Sequence, residues 1–317
     1  MGMDVLDEYI EKYRNWGRWG ADDQAGTTNY ITPDKVTAAA ALVRTGEVIS
    51  LAMNFDQAGP QTGAMGRFNP LRYSVATGTD HVEGRQGWAG RPIPREMGYA
   101  DDTAVLHLQS ATHWDALCHI FHRGRMWNGY PADEVTARGA ERNGVEHLKD
   151  RLVGRGVLLD VPRYKGVEYL ERGYPITIED LEGTAASQGV EVGEGDIVLL
   201  RTGEMARCRR EGWGTYAGGD APGLSFFTIP WTAEKRVAAI ASDTWGVEVR
   251  PNELPDSFQP MHIVAVVYMG LLLGEMFDLD RLAEACAADG RYEMLFVGPP
   301  IPITGSAGSP PCPVAIR

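Results

Sequence analysis

The stretch Leu108-Gln109-Ser110-Ala111-Thr112-His113-Trp114-Asp115-Ala116-Leu117-Cys118-His119 is the densest run of metal-coordinating side chains in the sequence. Gln109, His113, Asp115 and His119 offer an amide oxygen, two imidazoles and a carboxylate within eleven positions, and His122 follows closely. The apolar-rich run Thr103 to Leu108 before them reads as a strand entering from the core. Side chains of an extended chain alternate faces, so residues 109, 111, 113 and 115 share one face. A chain that turns helical at Asp115 instead sets Asp115, His119 and His122 at i, i+4 and i+7, again on one side. Either geometry converges nitrogen and oxygen donors on one point. Such a mixture suits a borderline or hard divalent cation, zinc or manganese.

A lone His-x-Asp is commonplace as a structural pair; a third donor in phase is what points to a site. The residues resemble the cyclase family of metal-dependent hydrolases, which includes bacterial kynurenine formamidase and isatin hydrolase, through its signature His-x-Gly-Thr-His-x-Asp-x-Pro-x-His. Thr112, His113, Asp115 and His119 match position for position, whereas Gln109 replaces the first His, Ala111 the Gly and Leu117 the Pro. The first His is a metal ligand in the family. Gln109 still offers an amide oxygen, and His107, two residues earlier, is an alternative donor. Gly195 to Gly203 is similar to the family's strand-turn before the substrate pocket, and Asp243-Thr244 to an Asp-Thr loop, with a departure near Trp245. His262 with Glu275 resembles the distal pair that completes the metal site. Their separation of thirteen is one more than in smaller members, so an extra residue must be absorbed between His262 and Gly270. The resemblance spans Asp101 to Val297 and implies a swivelling β/β/α domain with a central mixed sheet. On that basis residues 1–100 are an N-terminal arm packed on the core and residues 101–317 the metal-hydrolase domain. Homodimers or homotetramers are also implied.

The chemistry follows from the donors. A cation held by Gln109 or His107, His113 and Asp115 keeps an open position for water and lowers the pKa of that water to about 7. His119 is the candidate acid–base group, because its pKa lies near working pH. His262 and Glu275 either hold a second cation or brace the first; Glu275 is placed with His119 in the catalytic set and His262 among the metal ligands. Trp114, Asp243 and Trp245 are the candidate substrate contacts, with Trp127, Tyr130, Trp213 and Trp231 as further aromatic walls. The expected reaction is hydrolysis of an amide, lactam or lactone carbonyl in a small ring-containing substrate.

Two other readings stand beside it. His113-x-Asp115 with His262 also spells the facial triad of non-haem iron oxygenases, though no Arg falls between His262 and Arg281 to hold a co-substrate carboxylate. A member of the family that binds without turning over is the second. No G-x-S-x-G elbow, P-loop or G-x-G-x-x-G pattern occurs.

Composition narrows the rest. A net charge of -13 over 317 residues opposes binding to nucleic acid or an anionic membrane surface and favours a small-molecule substrate. Four scattered cysteines without a C-x-x-C pair exclude a disulfide framework or zinc ribbon. The N-terminus lacks an apolar signal core, and the longest apolar run, Ile263 to Leu273, is too short to span a bilayer, so the cytoplasm is expected. Helices are expected to Tyr13, after Thr32-Pro33, after the capping box Thr177-Ile178-Glu179-Asp180, over Ile263 to Leu273 and over Arg281 to Ala288. Strands are expected at Glu47 to Met53, Gly156 to Val161, Gly195 to Arg201 and Tyr292 to Val297. Residues 54–102, rich in Gly, Pro and Arg, read as a lid or arm, and the tail from Gly298 as lying along the surface or a neighbouring subunit. Strands mixed with helices without strict alternation give a mixed α/β (α+β) class.

Overall fold

The computed structural model describes residues 4–317. Its strands are β1 (Val48–Ser50), β2 (Leu71–Ala76), β3 (Asp101–Val105), β4 (His113–Asp115), β5 (Val153–Asp160), β6 (Ile197–Arg201), β7 (Ala239–Ser242), β8 (Leu272–Glu275), β9 (Glu293–Val297), β10 (Gly308–Ser309) and β11 (Val314–Ile316), besides short two-residue pairs. Nine of them form one mixed sheet in the order β1-β11-β9-β5-β6-β7-β8-β4-β10. The run β5-β6-β7-β8 is parallel and both flanks are antiparallel. Parallel strands covered on both faces read as continuous apolar runs. Ile197 to Leu200 and Ala239 to Ser242 are accordingly buried at every position. Helices Ile178–Gln188 and Asp280–Asp289 lie in the connections between sheet strands. The former opens on the expected capping box at Thr177 and ends at Gly189, whose φ of +66° a residue with a Cβ adopts poorly. The expected mixed class is observed. No helix among the described residues is long and apolar enough to cross a membrane.

Four local expectations fail, each for a packing reason. The strand before the motif, β3, is exposed along its length and pairs with β2 in a separate two-stranded arm rather than entering the core. Trp127, named as a candidate aromatic wall of the substrate site, is buried in the core and lies against Gly270, where a Cβ would come within 2.8 Å of its ring. The tail from Gly298 is no surface strap: it returns to supply β10 beside β4 and β11 between β1 and β9. Last, Ile263 to Leu273 is not one helix but a π-helical turn, Ile263–Met269, capped at Gly270 and followed by β8. A π-turn accommodates one more residue than an α-turn. This turn lies between His262 and Gly270, the interval in which the resemblance implies an extra residue.

Candidate metal centre

Strand β4 sets the geometry. His113 and Asp115 alternate onto one face of the sheet, while Trp114 points to the other. There Trp114 packs against Phe277 and Phe296, and its indole N–H donates to the Gly298 carbonyl at 2.8 Å. Trp114 is therefore core and not a substrate contact. The alternation that joins residues 113 and 115 excludes it. Across the antiparallel pair, Glu275 at the end of β8 stands directly opposite His113, and Gly274 opposite Trp114. Gly274 is needed there, since a Cβ would come within 2.6 Å of the Trp114 ring.

The result is a chain of alternating imidazoles and carboxylates. His119 Nε2 lies 3.7 Å from Asp115 Oδ1, which is 3.5 Å from His113 Nε2; His113 Nε2 is 3.2 Å from Glu275 Oε2, and Glu275 Oε1 is 3.4 Å from His262 Nε2. His113, Asp115 and Glu275 converge their donor atoms within 4.8 Å of one another. All three are buried, as is His262. His113 Nδ1 donates to the Ala111 carbonyl at 2.8 Å, which turns Nε2 and its lone pair inward. His113 Nε2 and Asp115 Oδ1 have no hydrogen-bond partner. Buried polar atoms are ordinarily satisfied, so two orphaned donors side by side fit a cation.

The electrostatics agree. Burial pushes the His113 imidazolium down, but Asp115 and Glu275 outweigh it and hold its pKa up at about 9. Burial acts likewise on His262, and Glu248 and Glu275 raise it to about 10. Asp115, despite the opposing effect of burial, is held well below the usual carboxylate range by His119, His113 and His262. In the metal-free protein the stabilisation from both protonated histidines is complete below about pH 6.5 and is lost as pH rises through 9 to 10. Cation binding runs the opposite way, because those protons must leave. Calorimetry in buffers of different ionisation enthalpy should therefore find about two protons released per manganese or zinc ion at pH 7.5, with affinity rising up to pH 9–10. Binding without proton release would contradict this assignment.

Sequence reasoning missed Glu248. Its carboxylate accepts from the His262 ring Nδ1 at 2.5 Å, from the backbone N–H groups of Met261 and His262, and from Asn252 Nδ2. It thus fixes the His262 tautomer and aims Nε2 at Glu275. Nothing in a loop position fourteen residues before His262 announces that role. The loop is strained to reach it: buried, β-branched Val247 adopts φ +52°, at a cost of about 1–3 kcal/mol. Glu248→Gln should lower metal affinity about 10- to 100-fold, read by competition with a chromogenic chelator. An unchanged affinity would remove Glu248 from the site.

The remaining expected residues divide. His119 is partly exposed and lines a cavity of about 280 Å³ together with His262 and Glu275. Phe121, Trp245 and Phe258 provide its aromatic walls, so Trp245 stands where a substrate ring would lie. Asp243 does not. Its buried carboxylate accepts from the Thr202 and Gly203 N–H groups and the Thr202 hydroxyl at 2.7–2.8 Å, bracing the β6 turn. Burial raises its pKa to about 7. Gln109 sets its amide over Gly308, the residue paired with Asp115. The amide therefore occupies the Asp115 face of the sheet. His107 packs edge-on against Phe68 and is not part of the cluster. His122 bonds the Tyr268 hydroxyl at 2.8 Å. The facial-triad alternative expects a double-stranded barrel; a sheet with four parallel central strands and a second carboxylate, Glu275, at the centre overturns it.

A family model described as putative cyclase matches residues 49–249, beginning well before the residue-101 start read from the motifs. A crystal structure titled as a novel cyclase is 36% identical, with a TM-score of 0.87 over 97% of this chain and 99% of that one. Isatin hydrolase A from Labrenzia aggregata, bound to benzyl benzoate, shares the fold at 17% identity and TM-score 0.62, covering 89% of this chain and 97% of its own. Isatin hydrolase A from Ralstonia solanacearum does so at 17% identity and TM-score 0.62, covering 90% and 97%. No curated protein sequence matches the chain. With its matching span, its sheet and its cluster of buried donors, this chain belongs to the cyclase family.

Proposed function

We propose that the protein is a metal-dependent hydrolase that opens the amide, lactam or lactone carbonyl of a small ring-containing substrate. The observation that carries this reading is the pair of buried, unpartnered donors, His113 Nε2 and Asp115 Oδ1, facing Glu275 beside an aromatic-walled cavity. His113, Asp115 and Glu275 would hold manganese or zinc, with His262 bracing Glu275 at 3.4 Å and Gln109 as a neutral donor on the Asp115 face. When bound, such a cation polarises a carbonyl oxygen and lowers the pKa of a water from 15.7 to about 7. His119 projects from the buried cluster into the cavity and takes the proton of the attacking water, then returns it to the leaving nitrogen or oxygen. Asp115, 3.7 Å from its Nε2, steadies the imidazolium formed between those two steps. Trp245 holds the ring against Phe121 and Phe258.

The test is turnover of N-formylkynurenine, isatin and simple lactones by chelator-stripped protein before and after manganese or zinc is restored. Hydrolysis that returns only with metal supports the reading. Less than about half an equivalent of bound metal would favour a member that binds without turnover.

A second copy of the chain is the proposed partner. Tyr73, Val75 and Val105 on the β2–β3 arm, and Trp88 in the segment joining its strands, stand exposed, and exposed apolar groups of that density mark an interaction surface. Light scattering should give a dimer or tetramer; a monomer at micromolar concentration would contradict it. The cytoplasm as compartment rests on four unpaired cysteines, a pattern of reducing surroundings.

A further inference from the structure

Arg67 lines the cavity beside the candidate metal centre, on the side formed by the arm. Among the described residues its guanidinium joins no ion pair and no side-chain hydrogen bond, although the protein carries an acidic excess of 13. Several arginines pair with acids, Arg72 with Asp102, Arg123 with Asp7 and Arg172 with Glu204; what sets Arg67 apart is that it lacks an acidic partner while lining the cavity.

The loop that presents Arg67 is pinned. The Asn69 side chain accepts from the Gln61 N–H at 2.8 Å and donates to the Gly59 and Gln61 carbonyls at 3.1 Å. Gln61 Nε2 donates to the Ser110 carbonyl at 3.0 Å, tying the loop to the motif itself. Phe68 packs edge-on against His107 with ring centroids 4.3 Å apart. A cavity-lining guanidinium without an acidic partner, carried on a pinned loop beside aromatic walls, is suited to grip a planar anion by paired N–H bonds.

We infer that the substrate carries a carboxylate beside its scissile ring or aryl amide, and that Arg67 is the residue that selects for it. This rests on the hydrolase reading for the scissile group only; the anion subsite is readable by binding alone. The metal-loaded protein would be titrated with 3-carbamoylbenzoate and with benzamide, which differ by the ring carboxylate, in the wild type, Arg67→Ala and Arg67→Lys. A charge-assisted pair corresponds to about tenfold or more in affinity. The wild type should prefer 3-carbamoylbenzoate by that factor, Arg67→Ala should bring the ratio close to one, and Arg67→Lys should keep part of it. A ratio unaffected by Arg67→Ala, or a wild type that binds both alike, overturns the inference. Kinetics with formanilide and 3-formamidobenzoate separate the two claims. An Arg67-dependent binding ratio without turnover sinks the hydrolase reading and keeps the anion subsite, whereas turnover with a ratio indifferent to residue 67 does the reverse. In the productive case Arg67→Ala should raise KM for 3-formamidobenzoate while changing kcat far less.

Discussion

His113→Ala and Asp115→Ala should each abolish hydrolysis and strip the protein of its divalent cation. The two residues supply the orphaned donors that face each other at 3.5 Å, so removing either leaves a buried site short of a ligand. A bound cation contributes several kcal/mol to stabilising developing charge, and each 1.36 kcal/mol is tenfold in rate. The expected fall in kcat/KM is therefore on the order of 10³-fold or more, with bound metal falling in parallel in elemental analysis. Asp115→Asn is the informative partner, since it keeps the shape and removes the charge that opposes His113 and His119. Full turnover in either alanine variant would refute the assignment.

His119→Ala should behave differently. Its imidazole is the partly exposed member of the cluster and lines the cavity, as a group that moves a proton to and from substrate must. Loss of a general acid–base residue costs about 10²- to 10⁴-fold, and here it should appear in kcat with metal content retained. A variant that loses metal as completely as Asp115→Ala would make His119 a ligand and leave the proton without a carrier.

The sequence made part of this site legible because the relevant spacing is local. Period-two alternation puts His113 and Asp115 on one face, and the interval between His262 and Gly270, where the resemblance implied an extra residue, holds the π-turn Ile263–Met269. The same alternation already told against Trp114. What stayed hidden depends on register between distant strands. Glu275 was reached only through the family resemblance, since it stands opposite His113 by the antiparallel pairing of β8 with β4, a register that no local pattern fixes. Glu248 reaches His262 through a strained loop, and Arg67 reaches the cavity from an arm with little periodicity. The tail strands β10 and β11 were obscured by the Pro and Gly around them. The central strands β5 and β6 were readable because burial on both faces leaves an apolar run.

The central claim is that one divalent cation is gripped by His113, Asp115 and Glu275, with His262 braced against Glu275. Anomalous diffraction from crystals of manganese- or zinc-loaded protein tests it most directly. The expected result is a peak about 2.0–2.2 Å from His113 Nε2 and from an Asp115 oxygen. A map with no peak at that position, and those two side chains joined to each other or to water by ordinary hydrogen bonds, would contradict it.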